Sequence, residues 1–269
     1  MELPEGVERI LAPNPSMMTG KGTNTYLVSG HAGGCVVIDP GPDDDSHLSA
    51  IAQRADALGG MRAILITHGH PDHVEGASHL RDIAQAPILA YSRQGSPVAD
   101  GTLLDGDTVD AGGIVLRAVY TPGHRFDHLC FLMQQRVALF AGDLMAGEGT
   151  VVIAPPEGDL TAYMASLERV KALEPGVILP AHGPAIHEPA VAVDHYIAHR
   201  RERELQLLSA LATGPATLSV LVKRVYTDVD PALHGMAARS LTAHLLKLER
   251  EGRVRATNLA SEEVWTLAD

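Results

Sequence analysis

An uninterrupted apolar run, Ala63-Ile64-Leu65-Ile66, closes on Thr67 and passes directly into His68-Gly69-His70-Pro71-Asp72-His73. An apolar stretch this short reads as a strand buried on both faces, the kind found in sheets covered by helices. Three histidines and an aspartate packed behind such a strand point to a site at its end rather than to a polar loop. From one extended turn His68 and His70 reach a single ion, while Asp72 and His73 point elsewhere, ready for a second. Neutral imidazole and carboxylate suit zinc, and also manganese or iron.

Three more strand ends carry the same signal. Thr121-Pro122-Gly123-His124 follows a strand over 113–120, Ala141-Gly142-Asp143 ends a run at 136–141, and Pro180-Ala181-His182-Gly183 ends 177–180. Each sets one metal donor beside a small residue that lets the backbone come close. A lone histidine is more often a hydrogen-bonded surface or core residue. Four such ends in one chain argue for one shared site.

Around these points the chain alternates strands and helices. Strands are expected at 24–30, 35–39, 63–67 and 87–91, with helices over 46–58 (Ser46 as its N-cap) and 73–84. A second run has strands at 107–110, 113–120, 128–133, 136–141 and 177–180 and a helix over 159–173. Two successive runs predict an α/β sheet-on-sheet core with helices outside. A long helix follows over 189–212, and Thr213-Gly214-Pro215 marks the boundary between a domain at 1–212 and a small one at 213–269. The latter reads as helices at 217–226 and 232–251 and a hairpin of 253–257 with 263–267, the winged-helix order. Leu241, Leu245 and Leu248 form its packing stripe.

Composition narrows the class. The first twenty residues carry Glu2, Glu5, Glu8 and Arg9, where a secretion signal would need an apolar stretch. No run approaches the ~20 apolar residues of a membrane helix, and the two cysteines, Cys35 and Cys130, cannot form a disulfide framework. These features predict a cytoplasmic protein without a membrane partner. The net charge is −12, and it is unevenly spread: −13 over residues 1–199 and +1 beyond. No basic stripe long enough to track a phosphate backbone is visible.

The order HxHxDH, then His, then Asp, then His is similar to that of the metallo-β-lactamase fold hydrolases. The resemblance implies an αββα sandwich, a first metal held by His68, His70 and His124, and a second by Asp72, His73 and His182. Asp143 would bridge both, and Asp72 would also orient the attacking water. Asp143 stands where the true zinc β-lactamases commonly supply a cysteine, which points to the dinuclear thioesterase and nuclease branches. Asn14-Pro15-Ser16, the run Thr19 to Val28, Gly147-Glu148-Gly149-Thr150 and Tyr196-Ile197-Ala198-His199-Arg200 resemble the beta-lactamase-like protein 2 group, an endoribonuclease branch with a winged-helix tail. The chain departs from that group at Arg125-Phe126 and at Ala154-Pro155-Pro156-Glu157-Gly158.

The function implied is hydrolysis of a phosphodiester in single-stranded RNA by a metal-activated water, with two zinc ions ~3.5–4 Å apart. The alternative is a glyoxalase-II-like thioesterase acting on a small acyl-thiol, or another small ester or lactam hydrolase. A DNA-binding regulator built on the winged helix is the rival from another class. A homodimer contact through the tail is a further expectation. For RNA, Arg200 and Arg203, with Arg239, Lys247, Arg250, Arg253 and Arg255, would wall a groove. Asp39 is expected to orient a ligand histidine, and His128 is either a partner of the site or a strand-face residue. His79 is read as solvated, His195 and His199 as one helix face, and both cysteines as core.

Overall fold

The computed structural model describes residues 3–134, 138–227, 229–259 and 262–268. One sheet runs in sequence order through β1 (Val7–Leu11), β2 (Asn24–Ser29), β3 (Cys35–Ile38), β4 (Met61–Leu65), β5 (Ile88–Ala90) and β6 (Gly101–Thr102). Its first three strands pair antiparallel and β3 to β6 pair parallel. Parallel neighbours need crossovers; α1 (Asp45–Ala57) lies in the one from β3 to β4, and α2 (Pro71–Val74) and α3 (Ala77–Ala84) in the one from β4 to β5. The second sheet has the order β11 (Val177–Pro180), β10 (Ala138–Gly142), β9 (Leu129–Met133), β8 (Val115–Tyr120), β7 (Thr108–Asp110). Only its β10–β11 pair is parallel, joined through α4 (Leu160–Ala172).

Alternation along each strand builds three layers of core. Val36, Ile38 and Leu65 meet Leu116, Phe131, Phe140 and Leu179 between the sheets. The opposite faces, with Val37, Ile64 and Ile66, pack on Leu48 and Ile51 of α1 and Leu80 of α3. Beyond the second sheet, Cys130, Leu139 and Ile178 pack on Tyr163 and Leu167 of α4 and on Tyr196 and Ile197 of α5 (Pro189–Leu211). This is the αββα sandwich. Both cysteines are buried and free.

The small C-terminal module has α6 (Leu218–Val225), a 3₁₀ turn at Pro231–Leu233, α7 (His234–Arg250) and a hairpin of β12 (Val254–Leu259) with β13 (Glu262–Leu267). Leu241, Leu245 and Leu248 pack on Leu221, Val254 and Trp265, and also on Leu207 and Leu211 of α5. The last turns of α5 therefore complete the winged helix. No helix among the described residues is long and apolar enough to cross a membrane.

Three details differ from the sequence reading. Asp44, not Ser46, caps α1, accepting from the His47 amide at 2.9 Å while Ser46 donates to Asp44 at 2.7 Å. The expected helix over 73–84 is two helices, because Gly76 lies against the chain at Pro42: a Cβ there would fall 2.7 Å from the Pro42 carbonyl oxygen. β1 was not foreseen, since an edge strand with Glu8 and Arg9 lacks an apolar run. Positions 136 and 137 of the expected 136–141 strand lie outside the described residues.

Candidate metal centre

Four loops converge at one rim of the sandwich: the turn after β4, the chain after β8, the end of β10 and the end of β11. His68 Nε2 lies 2.8 Å from His70 Nδ1, which lies 3.0 Å from His124 Nε2. Asp143 Oδ2 faces this group, 3.4 Å from His124 Nε2 and 3.9 Å from His68 Nε2. On the other side, His182 Nε2 is 3.2 Å and His73 Nε2 3.6 Å from Asp72 Oδ2. Asp143 Oδ1 faces that second group, 3.3 Å from His182 Nε2 and 3.5 Å from His73 Nε2. Each Asp143 oxygen thus serves one group. Donors around a tetrahedral cation with bonds of ~2.0–2.1 Å sit roughly 3.3 Å apart, inside the spacing seen here.

Two buried atoms show that a cation fits. His73 Nε2 and Asp143 Oδ1 have no hydrogen-bond partner among the described residues, although buried polar atoms are almost always paired. Both aim into the centre. Their company of five imidazoles and two carboxylates suits a divalent metal.

The surrounding chain fixes which nitrogen each ring presents. Thr67 donates its hydroxyl to Asp39 Oδ2 at 2.7 Å, so His68 Nδ1–H donates to Thr67 Oγ1 at 3.1 Å. His73 Nδ1–H donates to Asp39 at 2.8 Å and His124 Nδ1–H to the Val152 carbonyl at 2.9 Å. In these three rings the Nε2 lone pair is left facing the centre; His70 alone presents Nδ1. Anchoring the far ring nitrogen in this way selects tautomer and orientation. The Asp143 amide donates to His128 Nε2 at 3.1 Å, and His128 Nδ1–H donates to Thr121 Oγ1 at 2.9 Å. His128 therefore holds Asp143 from behind.

Two glycines permit this closeness. A Cβ on Gly69 would fall 1.8 Å from the Gly95 carbonyl oxygen. Gly142 has φ +48° and a Cβ there would lie 2.7 Å from His128 Nε2 and 2.8 Å from Thr67.

Electrostatics keep His68, His70, His124 and Asp143 in ligating form. Burial, with the neighbouring imidazoles, pushes His68 well below the usual histidine range and brings His70 down to about 4. Burial would raise Asp143, but His73, His182 and His124 outweigh it and hold the carboxyl well below the carboxylate range. His73 is drawn upward by Asp39 and Asp143 against its burial. Asp39 takes the Nδ1 proton, and a cation facing Nε2 would meet Asp143 where a second proton otherwise would.

A cavity of about 590 Å³ opens over His124, Asp143 and His182. Its walls include Met17, Met18 and Lys21 of the loop before β2, Arg9 and Leu11 of β1, Glu148 and Val151, and Met236 of α7. Among the described residues, the expected basic wall is absent from it. Arg200 is 3% exposed, donates to the Val151 carbonyl at 2.6 Å and lies over Tyr163. Arg203 is 9% exposed, donates to the Val225 carbonyl at 2.9 Å and lies over Tyr226. Lys247 pairs with Glu204 and Glu251, and Arg250 with Asp159. A planar guanidinium with an apolar stem serves interior carbonyls as readily as surface phosphates, so an arginine-rich helix face does not by itself predict a groove. His79 is half-buried and pairs with Asp43, and His195 is exposed on α5. Sequence reasoning missed Thr67, and also Asp127, whose carboxylate accepts from the Gly69 amide at 3.0 Å. Thr67 was legible as the hydroxyl next to the first histidine; Asp127 gave no signal.

A covered α/β sandwich with a His/Asp donor set at its rim defines a metal-dependent hydrolase. Residues 18–182 match the metallo-beta-lactamase superfamily and residues 217–265 the beta-lactamase associated winged helix domain, and the chain belongs to that superfamily. It is 35% identical to a beta-lactamase-like protein 2 homolog of Drosophila melanogaster, over 98% of this chain and 94% of that one. It is 32% identical to an atrochrysone carboxyl ACP thioesterase of Aspergillus fumigatus, over 96% and 86%. A metallo-beta-lactamase family protein of Thermus thermophilus superposes with a TM-score of 0.82 at 22% identity, covering 98% of this chain and 99% of that chain.

Proposed function

We propose that this chain is a cytoplasmic dinuclear zinc hydrolase that cleaves acyl thioesters. The observation that carries the substrate class is the cavity beside the donor cluster. Met17 is 72%, Met18 54% and Leu11 44% exposed there, giving an adaptable apolar wall. Arg9 and Lys21 add two cations, matching a flexible thiol arm that ends in an anionic group. Binding single strands calls instead for a long positive groove with stacking aromatics, and this cavity's lining contains no aromatic side chain among the described residues. The burial of Arg200 and Arg203 takes two of the expected phosphate contacts off the surface, which supports the same reading.

His68, His70 and His124 would hold one ion, Asp72, His73 and His182 the other, and Asp143 both. Bound metal supplies a water of pKa about 7 and offsets charge developing on the attacked and leaving atoms. Asp72 stays ionised, because His182 and His73 outweigh its burial, and it orients the attacking water by accepting its proton in a hydrogen bond. Manganese or iron would meet the same donors. The second reading, cleavage of single-stranded RNA, is favoured by the near full-length likeness to the beta-lactamase-like protein 2 homolog.

The test sets zinc-loaded protein side by side on an acyl-glutathione, labelled single-stranded RNA and a chromogenic lactam. Metal analysis should approach two equivalents, and the thioester should show a kcat/KM at least 100-fold above the others. Asp143→Ala should lose both metal and turnover. RNA as the best substrate would overturn the thioester reading, and full activity in Asp143→Ala would overturn the dinuclear one.

A further inference from the structure

A second cleft, of about 490 Å³, flanks the metal centre on the side of the residues that follow His124. Both places where this chain departs from the beta-lactamase-like protein 2 pattern build it: Arg125 and Phe126 form one side, and Glu157 another. Tyr91 and Tyr120 stack with centroids 4.4 Å apart and planes 10° apart. Tyr120 donates its hydroxyl to the Phe126 carbonyl at 2.8 Å, which fixes the pair against the Phe126 loop. Phe126 itself is 50% exposed. The chain has only ten aromatic residues, and three of them gather in this one cleft. Exposed aromatic surface of this kind costs solvation and is seldom left without a partner.

The cleft adjoins the donor cluster. Glu157 Oε2 lies 3.8 Å from His70 Nε2, and Asp127 holds the Gly69 amide between two metal-donor histidines. A molecule held over the donor cluster lies within reach of it. Its charge selects further. Arg125 pairs with Asp127 at 2.8 Å and with Glu157 at 3.2 Å, so one cation faces two carboxylates. A neutral or cationic ring is complementary, and a phosphate-bearing one is not.

We propose that this cleft is the second half of the substrate site, and that it takes a neutral planar aromatic ring on the far side of the scissile bond from the methionine-lined cavity. The inference rests on the proposed function only for which bond is cut. Phe126 stacks on the ring, the Tyr91–Tyr120 pair lines its edge, and the Arg125 carboxylate bridge excludes anions.

Binding and turnover test this separately. In fluorescence titrations of the metal-loaded enzyme, 2-naphthamide should bind Phe126→Ala at least fivefold more weakly than wild type. Phe126→Tyr should restore binding, and 2-naphthoate should bind worse than the amide. In turnover, the kcat/KM ratio of a naphthoyl over an acetyl thioester should fall at least fivefold in Phe126→Ala, through KM. Equal naphthamide affinity in both proteins would overturn the proposal, as would its displacement by a short single-stranded oligoribonucleotide at micromolar concentration. If neither thioester is turned over while the binding difference holds, the thioester reading fails and the ring site stands.

Discussion

At the scale of single residues, the centre depends on groups that never need to touch a metal. Asp39 sits in a left-handed conformation with φ 50°, and there its carboxylate receives the Thr67 amide, the Thr67 hydroxyl and His73 Nδ1. One carboxylate therefore sets the position of the turn and the tautomer of a donor histidine. Asp39→Asn keeps the size but removes the charge, and an amide nitrogen facing His73 can turn the ring's proton to Nε2. Outer carboxylates of this type are worth about 10–100-fold in metal affinity. Chelator competition on Asp39→Asn should show the Asp72-His73-His182 group weakened by that factor, with the far-UV spectrum unchanged. Affinity equal to wild type would deny Asp39 its positioning role. The seven residues that the structure gathers were legible in sequence because they cluster in the segments that follow strands. Thr67 and His128 were less so, since their importance comes from a neighbour distant in the chain.

Among the elements, α5 has the least expected role. Its Arg200 and Arg203 were expected on the wall of a groove, yet with Glu204 they are buried where the winged helix lies against α5. A helix buried on two sides loses the clean stripe from which exposure is inferred. The same interface encloses His244, whose ring nitrogens have no hydrogen-bond partner among the described residues; Glu204 lies 3.8 Å away, too far for one. Burial, helped by the nearby Arg200 and Lys247, outweighs the upward pull of Glu204 and leaves His244 below the usual histidine range. Burial, with Arg200 and Arg203, brings His199 down to about 4. Both histidines are thus neutral when folded and take up a proton near pH 6.5 when unfolded. The unfolded chain binds more protons over that interval, so stability falls as pH drops from about 6.5 toward 4. Glu204, lowered mainly by His244 and Lys247 against its burial, adds loss in the same direction once pH falls through its folded pKa. Urea midpoints measured between pH 7.5 and 4.5 should decline, and His244→Phe should flatten the upper part of that decline. A midpoint independent of pH would contradict the burial of these rings.

On the scale of the whole molecule, the order of strands and helices was readable because the apolar runs and their alternation match the layers they fill. The joint between the two parts was not. Thr213-Gly214-Pro215 looks like a linker, but Leu207 and Leu211, 0% and 3% exposed, belong to the winged-helix core while lying on the helix before it. Ala243 of α7 packs in turn into the layer behind the second sheet. Arg250 reaches Asp159, the residue that caps α4 by accepting the Ala162 amide at 2.8 Å. Each part thus closes the other's core, and a module of about 50 residues has too little interior to stand alone. The consequence is cooperative unfolding. Calorimetry of the full chain should show one transition, coincident with loss of far-UV signal. Leu207→Ala removes a side chain from the shared helix at a cost of ~2–5 kcal/mol. At roughly 2–4 °C per kcal/mol for a chain of this size, its single transition should move down by about 5–15 °C without splitting. Two separated transitions in the wild type, or a Leu207→Ala shift confined to the smaller of them, would mean that the winged helix folds on its own and only leans on the catalytic sandwich.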